Sequence, residues 1–332
     1  MDHAVTIVLP VAAVAMQVLR FFLPVLLLIL GLQAATPPVP ALRPVELPRG
    51  ARYLTADGAI GVVGYNDMQE MMQGLTDRFA ADHPGFRFAL TLKGTRTGPP
   101  ALAQGTTAFA PAGAEFSPQE LTDYRAATGA DPLVIRVAHC SLDPKALSGP
   151  LAIFVHESSP FASLTLAEVA DIFAGRDSRG LQPCGIEAQL ALALCLRDLV
   201  PGLPAFAADF KGFRQSADVV RFVADHPNSI GFAAAMRSVP GVKVLALAPA
   251  AGVPPVALSE ANLRAGRYPL DRFLLIHARR PLEPWIRDFL AFVLSPKGQE
   301  IVARGTLGYL PLNASEVAVE RSGLGLPEQE LR

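Results

Sequence analysis

The amino-acid sequence predicts an α/β protein with room for two domains, and three observations carry that prediction. Short apolar runs with strand character alternate with helical patterns, as they do where helices cover a sheet. Helix starts and stops are marked by caps, prolines and glycines. The length of 332 residues, at roughly 100–200 residues per domain, allows two cores.

The elements follow in order. Ile60–Gly64 is an apolar run that ends in glycine and reads as a strand. Asn66 and Asp67 then open a helical pattern through Met68, Met71, Met72, Leu75 and Phe79. Asp82-His83-Pro84-Gly85 stops that helix, because proline ends helices and glycine turns the chain. Phe86–Leu92 alternates like a strand, and Lys93-Gly94-Thr95-Arg96-Thr97-Gly98 is a loop before a short helix from Pro99 to Gln104. Ser117-Pro118-Gln119-Glu120 is a capping box with proline at the first helical position, and Thr165-Leu166-Ala167-Glu168 repeats the device. Leu133–Ala138 and Leu151–Val155 read as buried strands. Ser216–Ala224 is a helix stopped by Asp225-His226-Pro227-Asn228, and Ile230–Ala233 is the strand after it. Trp285–Leu294 is an apolar helix, and Ser295-Pro296 caps another that runs to Gly305.

Composition excludes several function classes. A hydrophobic fraction of 51% with 18% charged residues is incompatible with intrinsic disorder. Twenty-nine basic against 30 acidic residues leave a net charge of −1, so the basic footprint that nucleic acid requires is missing. No Gly-x-Ser-x-Gly elbow, His-Glu-x-x-His helix, Walker loop or Cys-x-x-Cys pair occurs. The histidines do not fall at metal-ligand spacing. The reading is therefore of a protein that is not an enzyme, with no catalytic residues, cofactor or metal.

The N-terminus reads as an export signal. Two apolar runs, Val5 to Met16 and Phe21 to Leu32, flank Arg20. If translation starts at Met16, Arg20 is the charged n-region, Phe21–Leu32 the apolar core and Gln33-Ala34-Ala35 the cleavage zone. With the upstream residues retained, the same segment becomes an anchor in the inner membrane. Residues 1–35 are thus a signal peptide or N-terminal anchor. Residues 36–50, with Pro37, Pro38, Pro40, Pro44 and Pro48, form an extended spacer. The expected location is periplasmic.

Three stretches resemble the phosphate-binding subgroup of periplasmic substrate-binding proteins, the receptors of phosphate ABC transporters. The first is Phe79-Ala80-Ala81-Asp82-His83-Pro84-Gly85 with the following strand and Lys93–Gly98. The second is Leu151–His156 followed by Leu164–Gly175. The third combines Arg267-Tyr268-Pro269-Leu270, Phe289–Val302 and Gly308-Tyr309-Leu310-Pro311-Leu312. The resemblance implies a type II fold of two α/β lobes joined by a two-strand hinge. Lobe I would take 51–140 and 241–318, lobe II 141–240, and 319–332 would be a C-terminal tail.

Phosphate receptors of this type hold the anion with helix N-termini, hydroxyls, an arginine and an aspartate, since orphan amides and a forked cation both favour negative charge. Here the first such loop reads Gly64, Tyr65, Asn66, with Tyr65 in place of a serine and Asp67 read as a helix cap. The second, Lys93, Gly94, Thr95, Arg96, Thr97 and Gly98, keeps its glycines and adds two hydroxyls and two cations, but Pro99 and Pro100 remove two amides. These nine residues are the candidate ligand site. The third loop has become Ala108–Ala114, apolar throughout, and the fourth, Gln182–Gln189, lacks its arginine and hydroxyls. Cys184 and Cys195 flank that fourth segment, where either a disulfide replaces lost local order or the thiols stay buried as small hydrophobes. Each hydrogen bond to a charge contributes roughly 1.5–3 kcal/mol, and ~1.4 kcal/mol is a factor of ten in affinity. Losing about four of them would turn a tight phosphate site into a millimolar one.

The expected function is an exported solute-binding protein that holds a small anion, phosphate or a related oxyanion, between the lobes for delivery to an ABC permease. The alternative is a degenerate binding fold without phosphate transport, serving as a periplasmic interaction or sensing module.

Overall fold

A computed structural model describes residues 50–326. The signal or anchor segment and all of the spacer but Gly50 lie outside the described residues. The apolar alternation near the start folds into two parallel strands, β1 (Ile60–Gly64) and β2 (Phe88–Leu92), in register from Ile60 opposite Phe88. Between them runs α1 (Gln69–Asp82), which buries Met71, Met72, Leu75 and Phe79 on one face. Its stop is the one expected: His83 leaves the helix with its Nδ1 on the Phe79 carbonyl.

After a short helix α2 (Gly98–Gln104), strand β3 (Phe109–Ala112) lies beside β1. Pro111 has no N–H to offer, so regular pairing fails there and only its carbonyl is used, accepting from the Tyr65 amide at 2.9 Å. The chains touch so closely that a Cβ on Gly64 would lie 2.2 Å from the Pro111 oxygen. Helix α3 (Pro118–Thr128) starts with both halves of the predicted capping box in place. It leads to β4 (Leu133–His139). A strand from far along the chain, β12 (Phe273–Ala278), inserts antiparallel between β3 and β4.

The second sheet has the order β10-β5-β9-β7-β8. Its strands are β5 (Leu151–His156), β7 (Gln182–Ile186), β8 (Lys211–Phe213), β9 (Ser229–Ala234) and β10 (Val242–Val244). A small pair of β6 (Ser163–Thr165) and β11 (Ala246–Ala248) lies beside it. Its helices are α4 (Leu166–Phe173), opened by the Thr165–Glu168 capping box, α5 (Ala191–Leu199), α6 (Ser216–Asp225) and α7 (Glu260–Arg264). Helices α8 (Pro284–Val293), α9 (Pro296–Ala303) and α10 (Ala314–Gly323) return to the first sheet.

Two hydrophobic cores result. The first gathers Phe79, Phe109, Trp285 and Phe289, with Phe109 stacked on Phe289 at 4.7 Å. The second gathers Phe154, Phe173 and Phe232 with the strand residues around them. Two of the expected boundaries need correction. Leu245, Leu247, Leu263, Tyr268 and Leu270 pack into the second core, not the first, because β10 and β11 pair with β5 and β6. The tail from 319 is not free either. Helix α10 continues to Gly323, and Glu320 and Arg321 are buried against the first lobe, where Glu320 accepts from the Arg136 amide and side chain. No helix among the described residues is long and apolar enough to cross a membrane.

Candidate functional site

The parallel pair β1 and β2 ends at Gly64 and Leu92, β3 of the neighbouring β3-β12-β4 sheet ends beside them at Ala112, and the loops beyond face the segment that links the two cores. Ligands in open α/β sheets bind beyond such carboxyl ends. Here that region is built from Gly64–Asp67, residues 93–98, Gly113, the linking segment 140–149, Asp271-Arg272 and Cys195 on α5.

The Gly94–Gly98 loop folds as a 3-10 turn, with Gly94 at φ 141°, a conformation reserved for glycine. Its polar groups are already committed. The Thr97 hydroxyl donates to the Gly94 carbonyl at 2.7 Å, and the Thr95 hydroxyl accepts the Gly113 amide at 3.0 Å. Arg96 turns outward to the Glu120 carboxylate, which also serves the Ser117 cap, and to the Glu115 carbonyl. Lys93 is exposed, and its ammonium has no partner among the described residues. Gly98 opens a helix whose second and third residues are prolines, so the amides an anion would need are absent as expected.

The first loop behaves differently. Asn66 is exposed, while Tyr65 is buried with its hydroxyl 2.9 Å from the Ser148 Oγ. Burial pushes the Tyr65 phenol up to about 12, against the opposing effect of Ser148, so it stays protonated as a donor. Asp67 is not a helix cap. Its carboxylate accepts the Leu147 amide at 2.8 Å and the Tyr309 hydroxyl, tying the first lobe to the linking segment. Gly113 explains why the third loop is small: a Cβ there would lie 2.6 Å from the Tyr65 ring and 2.8 Å from the Ser148 Oγ.

Arg272, which sequence reasoning passed over, stands at the centre. It is 8% exposed, and its Nη1 and Nη2 donate to the carbonyls of Gly149 and Gly113, both at 2.9 Å. The Cys195 thiol is its third partner. Among the described residues no carboxylate lies within ion-pair distance of it. Taking a charge out of water unpaired costs several kcal/mol even after relaxation. The signal was present in the sequence as a charged pair, Asp271-Arg272, wedged between Leu270 and the apolar strand Phe273–Ala278.

Asp271 has a separate role. Its Oδ2 is 2.6 Å from Nδ1 of His139, which is fully buried at the end of β4, and its Oδ1 accepts the Arg272 amide at 2.7 Å. His139 Nε2 lies 3.0 Å from Glu316 Oε2, close enough for an ion pair but outside hydrogen-bond alignment. Burial opposes charge on this imidazole, but the two carboxylates outweigh it and hold the group at about 9. Asp271 itself is raised by burial, with His139 acting against the rise.

Of the two readings of Cys184 and Cys195 the structure has the second: no disulfide joins them, and all three cysteines are free thiols. Cys184 on β7 points under α6, where its Sγ would be 3.0 Å from a Cβ on Gly231, in company with Val219 and Val223. Cys195 faces Arg272 instead, so the two thiols serve different surroundings. Burial raises the Cys184 and Cys140 thiols to about 12 and raises Cys195 as well. Among the described residues no group of three histidine, cysteine or acidic side chains could hold a metal ion.

Comparison with known proteins places this arrangement. The model of the PBP superfamily domain matches residues 52–297. The chain is 30% identical over 305 residues to a phosphate-binding protein PstS of Pseudomonas aeruginosa, covering 84% of this chain and 91% of the relative. Among solved structures it is similar to an ABC-type phosphate transport receptor from Vibrio cholerae (TM-score 0.50, 18% identity, 76% of this chain and 99% of the other). It is also similar to PstS from Borrelia burgdorferi (TM-score 0.50, 14% identity, 77% and 99%). At these identities the two structures speak for the fold alone.

Proposed function

Because the chain belongs to the PBP superfamily and, within it, to the phosphate ABC-transporter substrate-binding family, we propose that it is an exported receptor for a small oxyanion, phosphate in the first place. The anion sits between the lobes, beyond the ends of β1, β2 and β3, against a wall formed by Gly64–Asn66 and the Lys93–Gly98 turn, with Arg96 turned away to Glu120. The protein works in the periplasm and hands its ligand to a permease. Binding, orientation and release are its whole task.

The observation that carries this reading is the convergence of both lobes on one buried polar spot. Tyr65 and Gly113 come from the first lobe, Cys195 from the second, and Ser148 and Arg272 from the irregular segments just before β5 and β12. A scaffold retained only for its shape would not need a guanidinium there. A specific observation also favours a second reading, the interaction or sensing module: Thr95, Thr97 and Arg96 already have internal partners. Calorimetric titration of the full chain with phosphate separates the two. The receptor reading expects saturable binding in the micromolar range or tighter, and absence of heat at millimolar phosphate would leave the module.

A further inference from the structure

We infer that the ligand's charge is met by Arg272, and that the binding site has moved from the glycine-threonine turn to the polar cluster of Tyr65, Ser148, Gly113, Arg272 and Cys195. This rests on the oxyanion-receptor reading and assigns it a different set of groups from those the sequence offers.

The geometry that points there has three parts. First, the cluster's members come together from distant parts of the chain. Tyr65 Oη meets Ser148 Oγ at 2.9 Å, and both pack around the Cα of Gly113, whose carbonyl accepts from Arg272. Gly149, next to Ser148, accepts from the same guanidinium at 2.9 Å, and a Cβ on it would lie 2.4 Å from Met236 Cε. Second, the charge is unmatched. A guanidinium carries five N–H donors. Two go to the carbonyls and one faces the Cys195 sulfur, which leaves two for an acceptor that the chain does not provide. A buried cation with spare donors and no counter-charge calls for an anion, and the forked geometry suits a tetrahedral or carboxylate-like oxygen pair. Third, the other arginine near the loops is committed: Arg96 already pairs with Glu120 and the Glu115 carbonyl and is largely exposed, which leaves the exposed Lys93 as the remaining cation there.

Placing the charge on Arg272 also explains how a ligand would draw the lobes together. Its two carbonyl partners come from different parts of the chain, Gly113 after β3 in the first lobe and Gly149 at the end of the linking segment before β5. An anion bound to that guanidinium and to the Tyr65 and Ser148 hydroxyls therefore touches the first lobe and the linker to the second at once.

The test is calorimetric titration of the full chain and its variants with inorganic phosphate and, separately, with tungstate. Arg272→Gln, shown folded by circular dichroism, is expected to weaken binding by about 10- to 100-fold, the value of a hydrogen bond to a charge. Arg96→Ala is expected to change affinity less than about threefold, the scale of an exposed ion pair. Unchanged affinity in Arg272→Gln, or loss only in Arg96→Ala, overturns the inference and leaves the receptor reading standing. Absence of heat with either anion for the unaltered protein sinks the receptor reading itself. If Arg272→Gln does not fold, Tyr65→Phe and Ser148→Ala carry the test. Each should weaken binding by about five- to tenfold by removing one neutral donor, and wild-type affinity in both overturns the inference.

Discussion

Raising the pH from 6.5 to 8.5 should destabilise this protein through one buried imidazole. His139 is held at about 9 in the folded chain against 6.5 when unfolded. A group whose folded pKa is raised contributes stability that is fully present below the unfolded value and is lost as pH climbs through the folded one. In this window the unfolded state binds about one proton fewer than the native state, so stability falls by ~1.4 kcal/mol per pH unit. The whole gap amounts to about 3 kcal/mol, a large fraction of the ~5–15 kcal/mol that keeps a typical domain folded. Asp271 and Glu316 share the proton's field, which makes that figure an upper bound. Two assays read it. The ¹³C-labelled imidazole of His139 should titrate near pH 9 by NMR, and the urea midpoint should drop steadily between pH 6.5 and 8.5. His139→Gln should flatten that slope whatever it does to absolute stability. An imidazole that titrates at or below 6.5, or a urea midpoint indifferent to pH in both proteins, refutes the account of the Asp271–His139–Glu316 cluster.

Further outcomes follow from individual contacts. Gly64→Ala puts a Cβ against the Pro111 carbonyl; since overpacking costs ~1–3 kcal/mol or more, its melting temperature should fall by several degrees or the chain should fail to fold. Thr165→Ala removes the cap of α4 and should cost ~0.5–2 kcal/mol in urea unfolding without touching ligand affinity. Asp67→Ala leaves the Leu147 amide and the Tyr309 hydroxyl without their acceptor and should cost ~1–3 kcal/mol, with faster amide exchange at Leu147 as the local sign. Thiol titration of the denatured, non-reduced protein should return three free thiols, and a count of one would restore a disulfide.

Much of the scaffold could be read along the chain because its signals are local. The capping boxes at Ser117 and Thr165, the proline stops after α1 and α6 and the apolar face of α8 depend on residues within a turn or two of each other. What escaped depends on distance. Helix α10 has a weak apolar face, and its burial comes from Arg136 on β4 meeting Glu320. Strands β10 and β11 are three residues each and are defined by their partners, not by their own pattern. The same holds for the site. The glycine-threonine turn looked like an anion cradle because its residues have the right chemistry, and no sequence rule could show that Gly113, the Gly94 carbonyl and Glu120 had taken up its hydroxyls and its arginine. Arg272 was passed over for the converse reason: the charged pair Asp271-Arg272 stood out in its apolar stretch, but its partners come from Gly113, Gly149 and Cys195, on three separate segments.

The late insertion of β12 imposes an order of assembly. Ile276 pairs with both Pro111 and Ile135, so until residues 273–278 exist, β3 and β4 have nothing between them. The second core draws almost all its members from 142–270 and needs no such wait. As the chain emerges in sequence order, the inner lobe can close first while the outer one remains an open pair of strand edges. Contacts that span such distances are slow to form, and open edges invite mispairing. A chain halted before Phe273 would thus hold one finished lobe and one unfinished sheet. Any factor that escorts this protein through folding should be looked for on the edges of β3 and β4.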